Sequence, residues 1–438
     1  MASKISYPGS AQAADGRSVA VMLGYSAGNL GKSIVWTSFE AFLLFYLVTV
    51  AGFSPILAGC LLAGSMVWDA CMDVLVSYLT DRHGRSHALT RLILAGAPLG
   101  GFAFALIFAI PADRQMAVIG ACLLCRICYT FCDIGHNTLM VRVVARPQDA
   151  ATVSGLRLVF SAMGAGLVGL ASAHILSFAD RAEQQAAFAQ WAVLGGSLYC
   201  AALFVALCAS GNLPAPPADR RCWKMAGVIA TLWCNRAYRQ VLCLIAIQAS
   251  LIPLFVRALP FFGRAVEGDA AWSGWALTVV TLAQALSLPV WIGVSRWLRA
   301  VSTLALAYGS MGVAIVMMAG QIHGGVGALP LVLVGVSQAG MNLAIWAMLA
   351  LSVREGAANG RELEALPVGL FLATLKGSAG IGNAMLATTV NMVDWWSPSV
   401  IGHSRTPILV ISLGLPLLGC LLGIIATWLF RLRSPFWQ

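Results

Sequence analysis

Nine ionisable side chains, Lys32, Glu40, Asp69, Asp73, Arg126, Asp133, Arg157, Arg257 and Lys376, stand inside long apolar runs of the sequence. The chemistry open to them is electrostatic. At the centre of a membrane span each Asp, Lys or Arg costs roughly 2.5–3.5 kcal/mol, so Asp69 and Asp73 together cost about 5–7 kcal/mol. Charges kept at such a cost face a bundle interior, pair with one another, or mark an ion or solute path. Asp69 and Asp73 are four apart and share one helical face, where like charges repel unless a cation sits between them or one is protonated. Arg126, Thr130, Asp133 and Asn137 share a face in the same way, and Tyr25, Asn29, Ser33, Trp36 and Glu40 form a polar stripe on the first run. Three such faces turned inward describe a wet cavity. Carboxylates with a hydroxyl suit a hard cation such as sodium, and the same group with one acid protonated suits a proton.

The elements that hold these residues follow from composition. The chain has 438 residues, 59% hydrophobic and 10% charged, with a mean hydropathy of +0.83. Soluble domains carry about 25% charged residues, so an ordinary soluble enzyme is excluded. Twelve apolar runs, near 19–50, 55–80, 92–110, 116–140, 152–176, 191–210, 241–262, 272–298, 301–321, 328–352, 367–392 and 408–430, are each long enough to span a bilayer. They are helices, because lipid-exposed backbone must satisfy its own hydrogen bonds and the runs far exceed a barrel strand. The fold class expected is an all-α membrane protein of twelve transmembrane helices in two six-helix bundles. Residues 1–18 form a cytoplasmic tail without a signal-peptide cleavage site, 19–210 and 241–430 the two bundles, and 431–438 a second cytoplasmic tail. Between the bundles, 211–240 is a cytoplasmic connection with a Pro-rich start and a short interfacial helix, "WKMAGVIATLW".

With both termini inside, 18 of the 27 Lys and Arg lie on the cytoplasmic side, 4 on the other, and the remaining 5 within the spans. The positive-inside rule fixes this orientation. Membrane headgroups also account for the net charge of +10. No nucleic-acid partner is expected, because no basic patch is interleaved with aromatics. Cys122, Cys125, Cys128 and Cys132 line one stripe of the fourth span; a metal or redox site is open to them, but small residues packing helix on helix is the reading we favour. His136 stands alone as a packing or hydrogen-bonding residue. No nucleotide-binding loop and no nucleophile–base pair stands out, so neither ATP-driven transport nor an enzyme is supported.

The segments "GYSAGNLGKSIVWTSFEAFLLFYLVTVAGFSP" and "VWDACMDVLVSYLTDRHGR" resemble the opening of the glycoside–pentoside–hexuronide:cation symporters, part of the major facilitator superfamily. The likeness runs on through "YTFCDIG", "GLRLVFSAMGAG", "NLAIWAML" and "LKGSAGIGNA". It implies the major facilitator fold and a cation site at Asp69, Asp73, Thr130 and Asp133, the three aspartates being the metal ligands if the ion is sodium. It also matches Lys376 to the lysine that bears on that charge cluster, Arg157 to an arginine near the sugar, and Trp346 to the tenth-span tryptophan. This chain departs from the family where "GKS" places Ser33 at a sugar-binding aspartate, and where Gly135 and Asn137 stand at a proline and a sugar-stacking tryptophan. The acidic motif after span ten is reduced to Glu364.

The reading so far is a secondary active transporter coupling entry of Na+ or H+ to uptake of a small polar solute, with no cofactor besides the coupling ion. Five basic residues face four acidic ones in the spans, so an anionic solute such as a sugar acid or organic acid is weighed evenly against plain ion pairing of the arginines. The substrate-binding set is Lys32, Ser33, Trp36, Arg126, Asn137, Arg157, Arg257, Trp346 and Lys376. Asp81, Arg82 and Arg85 of "DRHGR" are expected to gate the inner side. A proton-coupled exporter or a lysolipid and amphiphile transporter of the same superfamily is the alternative. The partners expected are the solute and membrane lipids, the chain a monomer in a bacterial cytoplasmic membrane.

Overall fold

The computed structural model describes residues 18–39, 43, 46–82, 87–111, 114–176, 180–214, 230, 232–268, 272–322, 324–358, 363–391 and 405–433. Every regular element among them is helical. Six spans come first: α1 (Val19–Ser38, with a separate π-helical piece Tyr46–Val50 after it), α2 (Pro55–Arg82), α3 (Ala88–Ala109), α4 (Gln115–Val143), α5 (Pro147–Leu176) and α6 (Arg181–Ser210). Then come α7 (Arg236–Leu251, resumed as Leu254–Phe262), α8 (Trp272–Trp297), α9 (Ala300–Gln321), α10 (Ala328–Ala358), α11 (Ala365–Asn391) and α12 (Arg405–Leu409, a π-helical turn Val410–Gly414, and Leu415–Arg433). Eleven of the described helices are long and apolar enough to cross a bilayer. The all-α membrane fold is the one the apolar runs predict.

Helix ends differ from the apolar runs for local reasons. α6 starts at Arg181, well before 191, because the Asp180 carboxylate accepts hydrogen bonds from the N–H groups of Ala182 (2.9 Å) and Glu183 (3.0 Å). Such a cap lets polar first turns extend past the oil-soluble stretch. The Asn235 side chain caps α7 by accepting from Tyr238 N–H at 3.1 Å. That helix breaks at Pro253, which has no N–H to continue the ladder. The interfacial helix expected in the central connection lies outside the described residues except for Ala230, Leu232 and Trp233.

The chain divides into two compact units: Met1–Ser65 with Leu79–Arg221 and Val353–Ala365, and Met66–Tyr78 with Cys222–Ser352 and Leu366–Gln438. In the first, α1 packs along α5 and α6, and α3 along α4 and α6. Glycines allow these helices to touch backbone to backbone. A Cβ on Gly31 would meet the main chain of Tyr199, and Gly101 and Gly196 face each other directly. The fourth-span cysteines are free thiols buried on this packing face, Cys125 Sγ lying 3.8 Å from the Gly100 carbonyl. His136 is a packing residue too: its ring stacks on Tyr25 at 4.5 Å, and its Nε2 donates to the Tyr25 carbonyl (2.8 Å) while Tyr25 OH donates to the His136 carbonyl (3.0 Å).

In the second unit α12 packs on α7 and α9. Tyr308 OH donates to Gln248 Oε1 (3.2 Å), whose Nε2 donates to Asn342 Oδ1 (3.3 Å), tying α7, α9 and α10 together. The middle of α2 belongs to this unit, and Gly369 of α11 explains its seat: a Cβ there would strike the Asp73 carbonyl and the Ser77 side chain.

Lipid packing rewards close approach of small residues, and overpacking costs about 1–3 kcal/mol. Gly196→Val should therefore lower the thermal stability of the detergent-purified protein, whereas Gly120→Val, where a Cβ meets open space, should leave it unchanged. Equal melting temperatures for the two variants would contradict this packing.

Candidate functional site

The first unit holds a buried polar cluster on α1, α4 and α5. Its spacing comes from α4, where Arg126, Thr130, Asp133 and Asn137 share a face; Gly28 on α1 admits His136 of α4, and Gly164 on α5 admits the Leu30 carbonyl of α1. Lys32 Nζ donates to Asp133 Oδ1 at 2.9 Å and to Asn137 Oδ1 at 2.8 Å. Asn137 Nδ2 donates to Asp133 Oδ1 at 2.7 Å. Arg157 Nη2 donates to the same Asn137 oxygen at 2.5 Å, and its Nε to Asn29 Oδ1 at 3.4 Å. Arg126 lies with its guanidinium carbon 5.2 Å from the ring centres of both Trp36 and Phe39, within cation–π range. The Thr130 hydroxyl is fully buried and has no hydrogen-bond partner among the described residues. Ser33 turns away from the cluster and donates to the Ser161 carbonyl at 2.7 Å, fastening α1 to α5.

The second unit holds another cluster, on α2 and α11. Asp69 and Asp73 have no exposed surface. Lys376 Nζ donates to Asp73 Oδ2 at 2.6 Å and stands 3.9 Å from Asp69 Oδ2. Arg257 of α7 donates to the Ala379 carbonyl at 3.2 Å, and Trp346 packs on Phe371 with ring centres 5.0 Å apart.

At the end of α2, Asp81 Oδ1 accepts from Ala365 N–H (2.9 Å) and Glu364 N–H (3.3 Å). A carboxylate there satisfies the open amides and the positive end of α11. Arg142 grips Glu364 through Nη2 (2.7 Å) and Nε (3.1 and 3.2 Å). Arg354 Nη2 donates to the Ala145 carbonyl at 2.8 Å. Arg82 is exposed, and Arg85 and Glu40 lie outside the described residues.

The family described as MFS/sugar transport protein matches residues 24–434. The chain belongs to this family. It is a transporter and not an enzyme, as its motifs imply. No curated protein matches it significantly. Among solved structures it is similar to the Escherichia coli fucose:proton symporter FucP in its N162A form, at 13% identity and TM-score 0.64, with 95% of this chain and 97% of that one covered. A bacterial homologue of the iron transporter ferroportin in an outward-facing state aligns at 10% identity and TM-score 0.67, covering 93% and 99%. The proton:xylose symporter XylE bound to 6-bromo-6-deoxy-D-glucose aligns at 13% identity and TM-score 0.60, covering 95% and 94%. At these identities the likeness is one of fold.

In this MFS transporter the four positions of the expected cation site are shared between the two units. Asp69 and Asp73 face Lys376 in one unit; Thr130 and Asp133 lie in the other, with Asp133 on Lys32. Among the described residues no group of three or more His, Cys, Asp or Glu is placed to hold a metal ion. In each unit a lysine ammonium lies beside the carboxylate. The expected substrate-binding residues likewise divide, Lys32, Ser33, Trp36, Arg126, Asn137 and Arg157 in the first unit and Arg257, Trp346 and Lys376 in the second. Sequence reasoning missed the role of Arg142 as the partner of Glu364 and the Gln248–Asn342–Tyr308 network. A buried glutamine within an apolar span was the available signal for the second.

Breaking one member of a buried ion pair leaves an uncompensated charge and costs about 3–5 kcal/mol, whereas removing both is far milder. Lys32→Met and Asp133→Asn should each be strongly destabilising, and the double variant should recover most of the loss. Denaturation by sodium dodecyl sulfate titration measures this, and simple additivity would refute the pairing.

Proposed function

We propose that the protein is a secondary active transporter that couples inward movement of H+ or Na+ to uptake of a small polar solute carrying negative charge, by alternating access. The observation that carries this reading is the trio on α2 and α11, in which two fully buried carboxylates face one partly buried ammonium. Two acids beside one ammonium is a donor set that suits capture of a monovalent cation. Like charges four residues apart on one helix face are otherwise mutually repulsive. Two of the similar solved structures are proton symporters, which favours H+ as the ion.

The solute side of the reading draws on the first unit. There the named buried side chains Lys32, Arg126 and Arg157 outnumber the carboxylate of Asp133. Guanidinium groups recognise planar acid groups through paired N–H donors. Capture of the ion and of the solute are linked: whatever raises the affinity of one by binding the other does so reciprocally. Asp81 on the amides of α11, together with Arg142 on Glu364, supplies contacts that must release for an inner gate to open. We place the chain in a bacterial cytoplasmic membrane with both termini inside, on the strength of the Lys and Arg asymmetry.

In proteoliposomes with an inward H+ or Na+ gradient, acidic solutes should accumulate above equilibrium and draw the coupling ion with them. Asp69→Asn and Asp73→Asn should each abolish accumulation while leaving solute exchange across the membrane. Full accumulation by both variants would overturn the coupling role, and unchanged acid uptake by Arg126→Ala would remove that arginine from the solute path.

A further inference from the structure

Near the connection between α5 and α6 the two helices part and leave a cavity of about 600 Å³, a size typical of small-molecule sites. Its walls are one face of each helix: Leu167, Leu170 and His174 on α5, and Glu183, Gln190 and Leu194 on α6. Small side chains at Ala171 and Ala187 keep the gap open. The lining is graded from polar to apolar. His174 and Glu183 stand beside the connection, while Gln190 lies about 10 Å and Leu194 about 16 Å deeper along α6, at ~1.5 Å per residue. Half of a ~30 Å hydrocarbon core is about 15 Å, so the cavity is one leaflet long. Leu170 and Leu194 are more than half exposed and offer apolar surface to a chain.

The polar groups say what kind of molecule fits. Asp180 spends its carboxylate on the N–H groups of Ala182 and Glu183, and Arg181 Nε donates to the Val50 carbonyl at 2.9 Å. Among the described residues the Glu183 carboxylate and the Gln190 amide have no hydrogen-bond or ionic partner. An amide at hydrocarbon depth with nothing to bond is costly, and an acid at headgroup level draws a cation that carries N–H donors. We propose that the cavity holds one phospholipid with a primary ammonium head, of the phosphatidylethanolamine kind. The ammonium donates to Glu183, an ester carbonyl accepts from the Gln190 amide, and an acyl chain lies along Leu167, Leu170 and Leu194. A primary ammonium brings three N–H donors to a carboxylate, a choline head brings none, and a glycerol head brings no positive charge. Trp191 forms part of the wall and its Nε1 donates to Ser38 Oγ at 3.3 Å, so the lipid rests on the side chain that ties α6 to α1. With both termini inside, the lipid comes from the outer leaflet. The site uses none of the residues assigned to ion or solute, and it does not rest on the transport reading.

The test counts bound lipid. Delipidated full-length protein in detergent is mixed with dioleoyl phosphatidylethanolamine, phosphatidylcholine or phosphatidylglycerol and observed by native mass spectrometry. One molecule of the ethanolamine lipid should bind at no less than tenfold lower concentration than either of the others. Glu183→Gln should raise that concentration at least tenfold and erase the preference. Glu183 is exposed, so this variant should melt with wild type, which separates lost binding from lost fold. An ethanolamine lipid with a diazirine on its acyl chain should label the cavity faces of α5 and α6 in wild type but not in Ala187→Phe, where a ring fills the gap. Equal binding of the three lipids, an ethanolamine preference kept intact in Glu183→Gln, or labelling confined to other helices would each overturn the site. A dimer that retains no lipid would give the groove to a second copy of the chain and overturn it as well.

Discussion

A charge in the middle of a membrane-spanning helix has to be answered by another charge, and in this protein lysine side chains provide the answer. Lys32 reaches from α1 to Asp133 on α4, and Lys376 reaches from α11 to Asp73 and Asp69 on α2. Their helix arrangement follows from this requirement as much as from apolar packing. Within the first unit the Lys32 contacts fasten α1 to the polar face of α4, while Gly28 removes the bulk that would hold α1 off α4 and Gly164 the bulk that would hold α5 off α1. Within the second, Gly369 brings α11 against the α2 backbone, close enough for the Lys376 side chain to lie on Asp73. Small residues set the distance and charges set the register.

The membrane-spanning class, the twelve spans and the polar faces were legible in the sequence because they follow from local arithmetic. A run of roughly twenty apolar residues can only be a span, and residues four apart must share a face. What local arithmetic does not supply is which face meets which. Asp133 and Asp69 look alike in sequence as intramembrane acids, yet one lies on Lys32 and the other beside Lys376. Of 44 glycines, the few that admit a neighbouring backbone carry no mark that separates them from Gly59, Gly64 or Gly120, where a Cβ meets nothing. Helix starts were misjudged for a similar reason: the Asp180 cap lies outside the apolar run that signals α6, so hydropathy alone starts that helix too late.

Departures from the family pattern acquire a physical meaning in this frame. Where "GKD" is usual, Ser33 spends its hydroxyl on the Ser161 carbonyl and becomes a fastening between α1 and α5. The neighbouring lysine then has Asp133 as its acid and Asn137 as its second acceptor. Loss of one acid from α1 thus shifts the local balance toward positive charge, and replacement of a large ring by Asn137 leaves an acceptor between two cations. The two substitutions act on one cluster and in one electrostatic direction, which makes them more informative together than either is alone.

A tethered ammonium differs from a diffusible cation in a way that bears on turnover. An ion held by carboxylates in a dry interior, with nothing to replace it, would be released slowly, because departure leaves bare negative charge in low dielectric. A lysine within reach of the same oxygens changes that balance. As the ion leaves, the ammonium can take its place, and as the ion arrives it displaces a group that has lost no translational freedom. The carboxylates are therefore never stranded, and the free-energy difference between loaded and empty states is smaller than for an isolated acid pair. In the coupling role proposed above, Lys376, at 2.6 Å from Asp73 and 3.9 Å from Asp69, would make such an exchange, leaning on one acid while the other remains close. Lys32 lies on Asp133 in a similar way, with Asn137 accepting from both it and Arg157. Weak, reversible capture is what a carrier requires of its sites, and an internal competitor is a direct way to build it into a helix bundle.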